Sequence, residues 1–223
     1  MFVFRVDPSV LLLRADWSKY WVKGGQKVAD FIVVQAQYRP AEDAWTSKVV
    51  HTISESKDQD TGFTALGEII KAHKGTNART KVFLFTDGGR ADFKCADFIY
   101  SMYCLQDAIQ LRIIHIVLAP YHGHGPADAA KAQANKKLKN WFLNENEVYH
   151  NLETVANVFN TVENHQAIIF PQLTRRPPSP RFIGCSLCFQ FTYDTEEHQI
   201  FGYHKATFDA DAVPDYTWTV VRE

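Results

Sequence analysis

Three aspartates occupy positions from which carboxylates could act together. Asp16 follows the apolar run VLLLRA. Asp87 closes KVFLFT and is followed at once by Gly88 and Gly89. Asp128 follows YHGHGPA. Three carboxylates within about 4–6 Å repel one another and raise one another's pKa, and divalent cations remove that penalty. Hard oxygen donors of this kind suit Mg²⁺ or Mn²⁺. Two such ions about 3.5–4 Å apart can hold both the attacking and the leaving oxygen of a phosphodiester during in-line displacement. Gly88 and Gly89 would let the backbone turn sharply and let a bulky substrate approach. His122 lies close to the third acid, where an imidazole can orient water, contact a phosphate or shuttle a proton. Lys131, with Lys136, Lys137 and Lys139, gives the segment after Asp128 a basic face that could track a phosphate backbone. A plainer reading stands beside this one. Asp16 could cap a turn, Asp87 could form an Asx-turn with its glycines, Asp128 could serve a helix dipole, and the lysines could simply be solvated.

A second set lies near the C-terminus. Cys185 and Cys188 are spaced Cys-x₂-Cys, and His198 and His204 follow. Two thiolates and two imidazoles could close a tetrahedral Zn²⁺ site, although the cysteine-to-histidine gap is short for a finger. The alternative is ordinary cysteines and surface histidines.

The elements that would position these groups can be read from the pattern. VLLLRADWS (10–18) reads as a buried strand ending at its acid. VADFIVVQAQYRP (28–40) and WTSKVVHTISES (45–56) read as two more strands, rich in β-branched and aromatic residues. Short polar connections make an antiparallel meander the economical pairing. The period then changes. Phe63, Leu66, Ile69 and Ile70 fall at helical spacing in 61–75. KVFLFTDGG (81–89) is apolar and unalternated, as a strand buried on both faces should be. A helix over 93–108, a buried strand over 111–120 and a helix over 126–142 follow, the last with Pro126 in its first turn. The order β-β-β-α-β-α-β-α is that of a ribonuclease H-like mixed α/β sheet. In it the first and fourth strands are neighbours, so Asp16 and Asp87 should emerge side by side. Residues 1–142 read as this core. Residues 143–223 read as a C-terminal α/β extension: a helix, the Pro/Arg-rich loop LTRRPPSPR, and an alternating β-hairpin.

Composition narrows the classes. The 223 residues are 46% hydrophobic, enough for one sizeable core. The net charge of −1 excludes a strongly basic nucleic-acid binder, so any contact with DNA has to come from a local patch or from bound cations. No apolar run approaches the roughly 20 residues that span a bilayer. The N-terminus is a poor signal peptide, so the expectation is an intracellular protein whose four cysteines are thiols or metal ligands.

The runs RADWSKYW, FTDGGRADFK and YHGHGPADAAKA, in this order and spacing, resemble a family of eukaryotic transposable-element proteins with a ribonuclease H-like transposase core. That family carries a DFSENY-like strand end, then SDG…QFK, then HGKG…DG. The resemblance covers roughly residues 10–142. It implies a DDE/D-type nuclease or transposase acting on DNA in the nucleus, with self-association, no membrane partner, and Asp16, Asp87 and Asp128 as metal ligands. Lys94 matches the lysine of QFK, and His122 and Gly125 match HGKG. The chain departs from the pattern with WSKY for FSEN, ADFK for QFK and His124 where the lysine would stand. No DNA-binding domain precedes the core, so a truncated or domesticated copy, or a dead nuclease fold used for binding, is the companion expectation. The stretch DTGFTALGEII…KVFLFTDGG also resembles a von Willebrand factor A domain. That would make Asp16, Ser18, Thr64 and Asp87 a metal-adhesion site on a scaffold module. It requires a helix directly after Asp16, and Tyr20 stands where its second serine belongs.

Overall fold

The first strand shows how the sheet is built. In β1 (Val10–Trp21) Leu11, Leu13 and Ala15 are wholly buried on one face, while Leu12, Arg14 and Asp16 alternate to the other and are partly buried. The structure is a computed structural model, and it describes residues 9–21, 27–39, 42–74, 81–89, 92–118, 125–144, 151–175, 178–207 and 211–221. β2 (Lys27–Arg39) runs antiparallel to β1, with Asp16 opposite Ile32, and β3 (Ala44–Ser54) runs antiparallel to β2. The three expected strands therefore form the expected meander. One boundary difference bears on the acids. β1 does not end at Asp16 but continues five residues to Trp21, because β2 is long enough to keep its backbone groups paired.

Helix α1 (Gln59–Lys74) leads to β4 (Lys81–Thr86), which lies parallel to β1. Helix α2 (Ala96–Ile109) leads to β5 (Arg112–Val117), parallel to β4. Helix α3 (Pro126–Asn144) follows, then α4 (Leu152–Phe159), whose N-cap Asn151 accepts a hydrogen bond from the Thr154 N–H at 3.0 Å. The remaining strands are β6 (His165–Ile168), β7 (Gln190–Asp194), β8 (Gln199–Tyr203) and β9 (Tyr216–Thr219). Among the described residues they make one nine-stranded mixed sheet, in the order β6-β3-β2-β1-β4-β5-β7-β8-β9.

Residues after 143 thus enter the same sheet at both edges. β6 adds parallel to β3, and β7 adds antiparallel to β5. The alternating hairpin is β7–β8, and β9 extends it by a third strand.

The helices divide between the two faces. α1 and α2 cover the face of Leu11, Leu13, Phe31 and Leu84 through Leu66, Ile70, Ile99 and Met102. α3 and α4 cover the other. Ala127 and Ala130 pack on Ile32 and Val34, and Ala134, Leu138, Val155 and Phe159 pack on Tyr20, Val28 and Ile53. The stripe Ala127, Ala130, Ala134 and Leu138 is small-sided, so α3 can lie close on β1 and β2 while Lys136, Lys137 and Lys139 remain exposed. Among the described residues no helix is long and apolar enough to cross a membrane.

Candidate functional site

The β1–β4 ladder ends at the pair Ala15 and Thr86. The next residues along the two parallel strands are Asp16 and Asp87, about 5 Å apart between Cα atoms by ordinary strand spacing. Pleat alternation turns Asp16 to the face that α3 covers. Asp128 stands in the first turn of α3. Each carboxylate accepts one backbone hydrogen bond. Asp16 Oδ1 takes the Trp17 N–H at 2.7 Å, Asp87 Oδ1 the Gly88 N–H at 2.6 Å, and Asp128 Oδ2 the Gly125 N–H at 3.1 Å. Among the described residues the other oxygen of each acid makes no hydrogen bond.

The three acids feel one another. Burial pushes the Asp16 carboxyl above its ordinary value, and the negative charges of Asp87 and Asp128 push it further; the Trp17 N–H and the Lys131 ammonium pull it back. Lys131 therefore adds to the electrostatics of the acid cluster, a role nearer to hand than a groove for nucleic acid. Among the described residues no three Asp, Glu, His or Cys groups stand close enough to hold one metal ion. The acids are electrostatic neighbours with hard oxygens to offer, and they fit Mg²⁺ or Mn²⁺ by donor type. His122 lies outside the described residues.

The expected substrate-facing residues are placed differently from one another. Gly88 is buried, and Gly89 stands where the Asp92 carboxylate, 3.3 Å from the position of an added Cβ, takes up the space. The Gly89 carbonyl accepts from the Asp92 and Phe93 N–H groups and starts the turn into α2. Gly89 thus serves a local turn, with Asp92 rather than a substrate against it. Lys94 is turned inward and is only 6% exposed, its Nζ 3.6 Å from the centroid of the Phe189 ring. Gly125 receives the Arg14 side chain. A Cβ there would fall 2.0 Å from Arg14 Cζ, so any larger residue would displace the guanidinium.

The four zinc candidates do not converge. His198 and His204 flank the five-residue β8 at opposite ends, roughly 20 Å apart at strand rise. One ion with ligand bonds of about 2.0–2.3 Å cannot take both. His198 Nδ1 pairs with the Tyr103 hydroxyl at 3.1 Å, and His204 Nδ1 lies 3.3 Å from Asp215. Cys185 and Cys188 are buried; the Cys185 thiol donates to the Lys94 carbonyl at 3.8 Å, and burial, then Cys185, pushes the Cys188 thiol up to about 11. They pack as uncharged thiols.

The adhesion-module arrangement is likewise not formed. Strand, not helix, follows Asp16. The Thr64 hydroxyl donates to the Asp60 carbonyl at 2.8 Å and accepts from the Thr174 N–H, which occupies it within α1 and its neighbouring loop.

Two features escaped the sequence reading. One is a polar chain on the α3–α4 side that runs from the buried Asp30–His51 pair out to the exposed Gln133. Asp30 Oδ2 lies 2.7 Å from His51 Nδ1, His51 Nε2 lies 2.9 Å from His165 Nδ1, and His165 Nε2 lies 3.2 Å from Gln133 Oε1. Burial pushes the Asp30 carboxyl up, against the pull of His51. Polar residues inside the otherwise apolar runs of β2 and β3 were the available signal. The other is Arg14, one alternation before Asp16 on the same face. No protein-family model matches the chain, and no curated protein matches it in sequence.

Proposed function

We propose that the chain is a ribonuclease H-like, metal-dependent nuclease or polynucleotidyl transferase acting on DNA phosphodiesters, with Asp16, Asp87 and Asp128 holding Mg²⁺ or Mn²⁺. The observation that carries this reading is the shared field of the three acids at the point where β1 and β4 stop pairing. The order β3-β2-β1-β4-β5, with β2 antiparallel to its neighbours, supports it, because that is the order of a ribonuclease H-like sheet.

Divalent ions at this place would neutralise charge on the phosphodiester and on the attacking and leaving oxygens. The residues do the rest. The rigid β1 backbone and its bond from the Trp17 N–H hold Asp16, and the Gly88 and Gly125 N–H groups orient Asp87 and Asp128, each with one oxygen unbonded among the described residues. The three carboxylates would have to close on a cation from the spacing they now keep. Lys131 balances their charge, and the exposed lysines of α3 offer contacts to the phosphate backbone. His122 is proposed to orient water beside Asp128. Such an activity would place the protein with DNA in the nucleus.

The test combines binding with activity. At Mg²⁺ or Mn²⁺ one hundred times above its Kd, a site present only in the native state adds about 2.7 kcal/mol, which for a chain of this size raises Tm by roughly 5–10 °C. Asp87→Asn should remove the rise, and with it metal-dependent cleavage of a DNA duplex. A Tm rise that survives in the variant, or no cleavage by the wild type with either metal, refutes the enzyme reading. A metal-dependent rise without cleavage would identify a fold that binds but has lost catalysis.

A further inference from the structure

Among the described residues Arg14 makes no hydrogen bond and no ion pair, although its side chain is partly buried and pressed against the Gly125 backbone. It borders an open cavity of about 690 Å³ on the α3 side of the sheet. Leu12, Val34, Ala36, Phe85, Ile116 and Phe189 give that cavity an apolar and partly aromatic lining. No carboxylate is among its described lining residues, and Lys205 stands exposed at its rim. A third cation lies behind the lining, since Lys94 Nζ sits over the Phe189 ring.

The cavity adjoins the acid cluster. Arg14 and Asp16 are two residues apart on one face of β1, about 7 Å along the strand. An apolar, aromatic-bearing hollow with an unpaired guanidinium at its edge suits a ligand with a flat apolar part and an adjoining anion. Bases stack on aromatic side chains regardless of sequence, and guanidinium binds phosphate through paired N–H groups. The volume falls in the range of small-molecule sites.

We propose that this cavity receives a nucleobase unstacked from a single strand, with Arg14 holding the phosphate next to it and so setting the register of the strand on the acid cluster. The register part rests on the nuclease reading above; binding of a nucleotide does not. Arg14 is a substrate-positioning residue on this account, and Gly125 is the residue that gives its guanidinium room.

The test uses the full chain in EDTA, so that no hydrolysis intervenes, and 2-aminopurine 2′-deoxyriboside 5′-monophosphate as the probe. Quenching of its fluorescence should report saturable binding, with the nucleoside lacking phosphate and inorganic phosphate alone each binding at least tenfold more weakly. Arg14→Ala should weaken binding at least tenfold and Arg14→Lys less. Ala36→Trp should block the cavity without changing any charge. Lys71→Ala, which removes an exposed cation on α1 across the sheet, should leave binding within about twofold. Binding unchanged by both Arg14→Ala and Ala36→Trp, or no binding by wild type, overturns the proposal. DNA cleavage that proceeds equally in Arg14→Ala overturns it too while leaving the nuclease reading intact. Arg14-dependent nucleotide binding in a protein that never cleaves DNA does the reverse.

Discussion

Replacing His115 by glutamine should flatten the acid limb of the stability curve. His115 is fully buried on β5, its Nε2 2.8 Å from the Thr86 hydroxyl on β4 and its ring stacked against Phe191 and tilted against Phe98. Among the described residues its Nδ1 has no hydrogen-bond partner. Burial first, and the Lys94 charge second, pull its pKa down to about 3. In the unfolded chain the imidazole titrates near 6.5. Below that pH the unfolded state takes up a proton that the native state refuses, so the native state loses stability as pH falls from about 6.5 to about 3. Over that range the loss comes to roughly 5 kcal/mol at about 1.36 kcal/mol per pH unit, comparable to the whole stability of a small domain. Glutamine keeps a polar group for Thr86 but cannot take up the proton. The variant should be less stable at pH 7, by about 1–2 kcal/mol for the lost ring packing. The gap should then shrink or reverse by roughly 2–3 kcal/mol between pH 6 and pH 4. Urea unfolding followed by tryptophan fluorescence at pH 7, 6, 5 and 4 measures it. His165, which burial and then His51 lower to about 4, tilts both curves the same way and cancels in the difference. Wild-type and variant curves that stay parallel over this range would refute the assignment of a buried neutral imidazole.

Further outcomes follow from the same packing. Asp30→Asn removes the partner of His51 from a pair in which both side chains are 0% exposed, and should cost about 3 kcal/mol at pH 7 by urea unfolding; a loss under about 1 kcal/mol would mean the buried chain stabilises little. Gly125→Ala meets the movable end of Arg14 rather than backbone, so it should change stability by no more than about 1 kcal/mol in thermal unfolding while lowering nucleotide binding as Arg14→Ala does. Phe31→Ala empties a fully buried ring site between Trp17 and Phe93 and should cost about 3–5 kcal/mol; calorimetry showing less than about 1 kcal/mol would contradict the packing.

What could be read from the sequence was local. The β-branched runs of β2 and β3, the unalternated VFLF of β4, the helical spacing of Phe63, Leu66, Ile69 and Ile70, and short connections were enough to place five strands and three helices in order. From that order followed the neighbouring of β1 with β4 and hence of Asp16 with Asp87. Periodicity carries this information because a strand or helix must bury one repeating side, and chain connectivity then leaves few ways to pair.

Tertiary structure decided whatever depends on partners distant in sequence. β1 runs past its acid because β2 is there to pair with it, a matter of backbone hydrogen bonds to which side-chain pattern is nearly blind. The four-residue strands β6 and β9 have too little pattern to announce themselves, and they exist because sheet edges receive them. The zinc motif meets the complementary limit: spacing suggested four ligands, but an extended β8 holds its two histidines at opposite ends. His51 and His165 are 114 positions apart and bond only because β6 docks beside β3. Arg14 reads as a charge interrupting an apolar strand; only the approach of Gly125, more than a hundred residues later, turns it into a half-buried cation at the mouth of an apolar cavity.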